Sequence, residues 1–122
     1  MRIDAEQTKL VVHTALDAGI NFFDCANVYA EGKSEEILGK ALKKNGRRHE
    51  VLLTSKAFLP TSDHPNTSGN SRHNLINSCL ESLRRLQTDH IDLYQVHHID
   101  RRITPEEFWG TFDRLIDDGK VL

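Results

Sequence analysis

Residues 19–42 read GINFFDCANVYAEGKSEEILGKAL, and the reading of this stretch decides the fold. Ile20 to Phe23 is an apolar, β-leaning run bounded by Gly19 and Asp24, the pattern of a strand inside a parallel sheet, which puts Asp24 at that strand's C-terminal end. An irregular loop with Tyr29 and Gly32 follows. Ser34 with Glu35 and Glu36 then reads as an N-cap followed by acids in the first helical turn, where the helix dipole favours negative charge. The apolar positions Ile37, Leu38, Ala41 and Leu42 predict an amphipathic helix running to Gly46.

The same alternation extends outward in both directions. Asp4 caps a first helix with Val11 or Val12, Ala15 and Leu16 on its apolar face, and Gly19 ends it. Beyond the second helix, whose last turns carry Lys40, Lys43 and Lys44, the run Val51 to Ser55 predicts a second strand with Lys56 at its end. Residues 60–70 are rich in Pro, Ser, Thr, Asn and Gly and form a long connection of the kind that usually carries function. Ser71 opens a third helix with Leu75 or Ile76, Cys79 or Leu80, Leu83 and Leu86 on one face. A third strand, Ile91 to Val96, ends in His97 and His98. Thr104-Pro105-Glu106-Glu107 is a capping box with Pro at the first helical position, and its helix buries Phe108 or Trp109, Phe112, Leu115 and Ile116 before Gly119. Val121 and Leu122 read as the start of another strand.

Helices alternating with short buried strands predict an α/β protein with a parallel sheet. Three such strands standing alone would leave two open parallel edges. A partial (β/α)8 TIM barrel accounts for the pattern better, since 122 residues are about half of the roughly 250 that a closed barrel takes. The chain is one partial barrel domain, residues 1–122, on this reading.

A net charge of −2 with acids and bases intermixed gives no electrostatic footprint for nucleic acid or an anionic membrane. No apolar run is long enough to span a bilayer, and the N-terminal MRIDAEQTK lacks the apolar core of a signal peptide, so a cytoplasmic location is the expectation. Cys25 and Cys79 have no metal-like spacing and are expected to be free thiols and small core residues. His13, His49, His64, His73 and His90 fall on helices and loops and are expected at the surface.

Catalytic groups of a βα barrel gather at the C-terminal ends of its strands, and Asp24, Lys56 and His97 each end a strand here, with Tyr29 on the loop above the first. Consecutive strand residues point to opposite faces, so only one of His97 and His98 can enter the barrel mouth, and the pair cannot chelate one metal. His98 and Asp100 line the mouth or serve a structural role. No metal site is expected. On residues alone, Lys56 also suits a class I aldolase, where a strand-end lysine forms a Schiff base.

The elements Asp24, Tyr29, Gly32, Ser34, Glu35, Leu38 and Gly39 resemble the signature of the aldo-keto reductases, with Cys25 where that family commonly has Thr. The strand LYQVHH is similar to the family's fourth strand. The resemblance covers nearly the whole chain as the second, third and fourth βα units, without the first strand or the C-terminal half. It implies a reductase turning an aldehyde or ketone into an alcohol with NADP(H), and catalytic roles for Asp24, Tyr29, Lys56 and His97. Tyr29 would be the general acid. A phenol is a poor acid at neutral pH unless its anion is stabilised, which Lys56 would do, while Asp24 holds Lys56 and His97 orients the substrate oxygen. The resemblance also implies cofactor contacts at Asp24 and His97, although no Gly-x-Gly-x-x-Gly fingerprint is present. Members of the family that serve as potassium-channel β subunits make a regulatory role the second reading.

Overall fold

The computed structural model describes residues 4–122; Met1 to Ile3, at the head of the MRIDAEQTK stretch, lie outside the described residues. Helix α1 (Ala5–Asp17) leads into strand β1 (Phe22–Asp24), then α2 (Lys33–Asn45), β2 (Leu52–Ala57), α3 (Arg72–Leu86), β3 (Leu93–Val96) and α4 (Pro105–Asp117). The strands form one parallel sheet in the order β1-β2-β3, with Asp24 beside Thr54, and Thr54 and Lys56 beside Leu93 and Gln95. Val121 forms an isolated parallel bridge with Ile91, just ahead of β3.

Each element has a local cause. Asp4 accepts from the Gln7 N–H while the Gln7 side chain accepts from the Asp4 N–H, a reciprocal cap at the start of α1. Ser71 and Thr104 accept from the N–H groups of Asn74 and Glu107. The capping box expected at Thr104 is only half made, because the Glu107 carboxylate accepts from the Arg72 N–H of α3 instead. The cap expected at Ser34 is also displaced. Helix α2 starts from Gly32, at φ 88°, directly after a tight turn over Tyr29–Gly32 whose Ala30 and Glu31 are left-handed as well. Only glycine takes that conformation without cost, which fixes Gly32 at the junction.

The strands are shifted relative to the expected spans. β1 begins at Phe22 and includes Asp24; Ile20 is exposed outside it. β2 runs to Ala57, so Lys56 lies within the strand, and β3 begins at Leu93. The core lies between one sheet face and the helices. Leu53, Ala57 and Tyr94 meet Val12, Leu16, Leu38, Leu42, Leu75, Cys79, Leu83, Leu86 and Leu115 there. Of the paired choices, Val12, Leu75 and Cys79 are buried, while Val11, Leu80 and Trp109 stay exposed.

The opposite sheet face carries Phe22, Leu52 and Leu93, which remain 46%, 51% and 45% exposed. In a closed βα barrel this is the inner face, where side chains from facing strands fill the centre. The architecture is therefore a partial (β/α)8 barrel. At its lower end Arg48 ties β2 to β3, donating to the Asp92 carboxylate at 2.8 Å and to the His90 carbonyl at 2.9 Å, while Asp92 also accepts from the Leu53 N–H.

Candidate active site

Asp24, Lys56 and His97 sit at the upper ends of three adjacent strands, and their alternation places all three on the inner face with Leu52, Thr54, Leu93 and Gln95. The Lys56 ammonium donates to Asp24 Oδ1 at 2.6 Å and to the Cys25 carbonyl at 2.9 Å. It lies over the Tyr29 ring, 5.3 Å from the centroid. The Tyr29 and His97 rings meet edge to face with centroids 6.2 Å apart. The four residues expected from the sequence are thus brought together, from β1, the turn after it, β2 and the end of β3.

The electrostatics follow from this packing. The Lys56 hydrogen bond holds the Asp24 carboxyl below its ordinary value, aided by the Thr54 hydroxyl. Burial, with the positive charge of Lys56 and the neighbouring His98, pushes the His97 imidazole down, so it is neutral at neutral pH and can donate or accept one hydrogen bond. Its Nε2 is closed off from solvent and has no partner among the described residues. Both bonds to Asp24 fall on Oδ1, which leaves Oδ2 of a half-exposed side chain free to accept. An orphaned nitrogen and a free carboxylate oxygen on one open face suit a ligand carrying hydroxyl or carboxamide groups, as a nicotinamide nucleotide does. Asp24 and His97 fit that cofactor.

Cys25 presents only its carbonyl to the site. Its side chain is buried on the helix side, with the thiol pushed up to about 11, and Cys79 is likewise buried, pushed up to about 12. Both are free thiols. His98 packs against Phe58, and Asp100 is bound by Arg102, which holds it down to about 2. Of the histidines expected at the surface, His49, His64 and His73 are exposed, but His13 and His90 are partly buried, His90 against Asp89. No group of three metal-ligating side chains occurs among the described residues.

Three contacts around the site escaped the reading of residue types. Thr54 is fully buried opposite Asp24 and donates to its Oδ1 at 2.8 Å. Its position two residues before Lys56 was the available signal, since i and i+2 share a face. Glu35, expected as an acid of the first helical turn, is wholly buried and accepts from Ser55 at 2.5 Å and Arg85 at 2.6 Å. Gly39 is in the signature because α3 passes directly over it: a Cβ there would lie 2.5 Å from the Leu86 backbone. A cleft of about 430 Å³ lies away from this chemistry, between the turn at Asn27, the 60–67 loop and α3.

The model of the aldo/keto reductase family matches residues 1–122. Among similar proteins, the uncharacterized oxidoreductase YrpG of Bacillus subtilis is 47% identical over 91% of this chain and 37% of its own length. The aldo-keto reductase YhdN of the same organism is 40% identical over 95% of this chain and 35% of its own. A candidate voltage-gated potassium channel β subunit of Schizosaccharomyces pombe is 40% identical over 98% and 35%. The chain thus spans little more than a third of the length of these curated relatives.

Proposed function

From a chain that belongs to the aldo-keto reductase family, we propose that residues 1–122 form part of a barrel that reduces an aldehyde or ketone to an alcohol with NADP(H). The observation that carries the reading is the cluster on one sheet face of a phenol, an ammonium bonded to a carboxylate, and a neutral, unpartnered imidazole. A small carbonyl compound is the substrate, and the protein acts in the cytoplasm. The chain contributes the second, third and fourth βα units.

When bound, the reduced nicotinamide supplies the hydride to the carbonyl carbon. The residues here manage the oxygen and its proton. His97 donates a hydrogen bond to the carbonyl oxygen and fixes its direction. Tyr29 delivers the proton as negative charge develops there, and Lys56 stabilises the phenolate left behind. Asp24 holds Lys56 in place. Asp24 and His97 would also hold the cofactor. Lys56 lies over the Tyr29 ring, 5.3 Å from its centroid.

Lys56 does not suit the aldolase alternative, because an ammonium held at 2.6 Å by a carboxylate is a poor nucleophile. The relatives named as channel β subunits favour a second reading, a regulatory subunit with the same site. Replacing Tyr29 by Phe in the intact barrel separates these. Carbonyl reduction should fall at least roughly a hundredfold with cofactor affinity nearly unchanged, as expected for removal of a general acid. Near-normal turnover in that variant would remove Tyr29 from the chemistry.

A further inference from the structure

Asp24 is the weak point in the chain of contacts that places Lys56. Its side chain is 52% exposed while that of Lys56 is 15% exposed, so the lysine depends on a carboxylate that solvent would otherwise let rotate. A strand-end aspartate has several open rotamers, and each would put a different oxygen, or none, within reach of the ammonium. One contact removes that freedom. Thr54, directly opposite Asp24 in the β1–β2 register and 1% exposed, donates its hydroxyl proton to Oδ1 at 2.8 Å, the same oxygen that Lys56 grips at 2.6 Å.

We propose that Thr54 is a positioning residue of the reduction: its hydroxyl locks the Asp24 carboxylate so that Oδ1 and the Cys25 carbonyl hold two of the three Lys56 ammonium protons and aim the third at Tyr29. This rests on the reductase reading of the site. Thr54 touches neither substrate nor cofactor, and being β-branched it has few rotamers of its own, so the lock loses little entropy on forming. Tyr29 is faced by Lys56 from β2 and by His97 after β3, with Asp24 of β1 behind Lys56 and Glu31 two residues along the turn. Of these, Asp24 is held by Thr54 directly and Lys56 through it.

The test compares Thr54→Val, which keeps the shape and removes the hydroxyl, with Thr54→Ser, which keeps the hydroxyl, and with Tyr29→Phe, all in the full-length barrel and with a broad aldehyde panel. Thr54→Val should lower kcat roughly tenfold, the scale of one hydrogen bond to a charged group, with KM changed less than about twofold. The alkaline limb of its kcat–pH profile should move to higher pH, because a less well placed Lys56 stabilises the phenolate less. Thr54→Ser should restore both. Wild-type kcat and pH profile in Thr54→Val overturn the proposal, and so does a Thr54→Ser protein that fails like Thr54→Val. If Thr54→Val does not fold, Thr54→Ser still decides: it must keep the wild-type profile. Full activity in Tyr29→Phe instead overturns the underlying assignment of the site, which separates the two failures.

Discussion

Lys56 and His97 carry opposite tasks at the residue scale, and their environments explain how neighbouring groups manage them. Lys56 is held in place by its bonds to Asp24 Oδ1 and the Cys25 carbonyl. Replacing Lys56 by Met should depress turnover and shift the alkaline limb of the remaining activity upward in pH; an unchanged profile would mean that Lys56 does not tune the acid. His97 must remain neutral, which burial and the charge on Lys56 enforce. Its folded-state value lies below the ordinary one, so its contribution to stability is present above about pH 6.5 and is lost as pH falls through the folded value. NMR titration of the barrel should give a His97 midpoint below about 6.5 that rises in Lys56→Met. A midpoint at or above the free-histidine value, or one indifferent to Lys56, would contradict the packing described for the ring.

Among the elements, α2 is the best example of a signature serving two purposes. Asp24 and Tyr29 provide chemistry, whereas Gly32, Glu35 and Gly39 seat α2 against α3 and β2: the Arg85 side chain crosses Gly32, Arg85 and Ser55 bind Glu35, and Leu86 crosses Gly39. The helix start, and with it the turn carrying Tyr29, is fixed by that seat. Gly39→Ala sets two effects against each other. Alanine favours the helix by about 1 kcal/mol, but a Cβ at 2.5 Å from the Leu86 backbone must force the helices apart, costing about 1–3 kcal/mol on top of that gain. Denaturant unfolding should therefore show net destabilisation, and a more stable variant would show that the helices separate freely.

For the whole molecule, the open inner face governs behaviour. Phe22, Leu52 and Leu93 are half exposed on it, and Ile20 and Leu122 are exposed at its edges. Leu53, on the opposite side of the sheet from its neighbour Leu52, is fully buried against the helices. An apolar sheet face with unpaired edges is prone to association. The 122-residue chain made alone should self-associate, bind NADPH weakly and reduce no aldehyde, because proton transfer without a positioned hydride donor forfeits most of the rate. NADPH titration by fluorescence, light scattering and an aldehyde panel measure this. Saturable micromolar binding with steady turnover from a monomer would show that these residues suffice.

The sequence by itself determined the order of elements, the parallel sheet and the place of Asp24, Lys56 and His97 near strand ends. Those depend on the period of apolar residues along one strand or helix, which neighbours in the chain define. Strand ends slipped by a residue or two, and the choices between Val11 and Val12 or Cys79 and Leu80 stayed open, because a helix face is selected only by what packs on it. The register that sets Thr54 against Asp24, the burial of Glu35 beneath Arg85, fifty residues away, and the approach of α3 to Gly39 were decided by tertiary structure alone. Each is a contact between distant segments, whose partner is fixed by hydrogen-bond register and helix packing rather than by any local pattern.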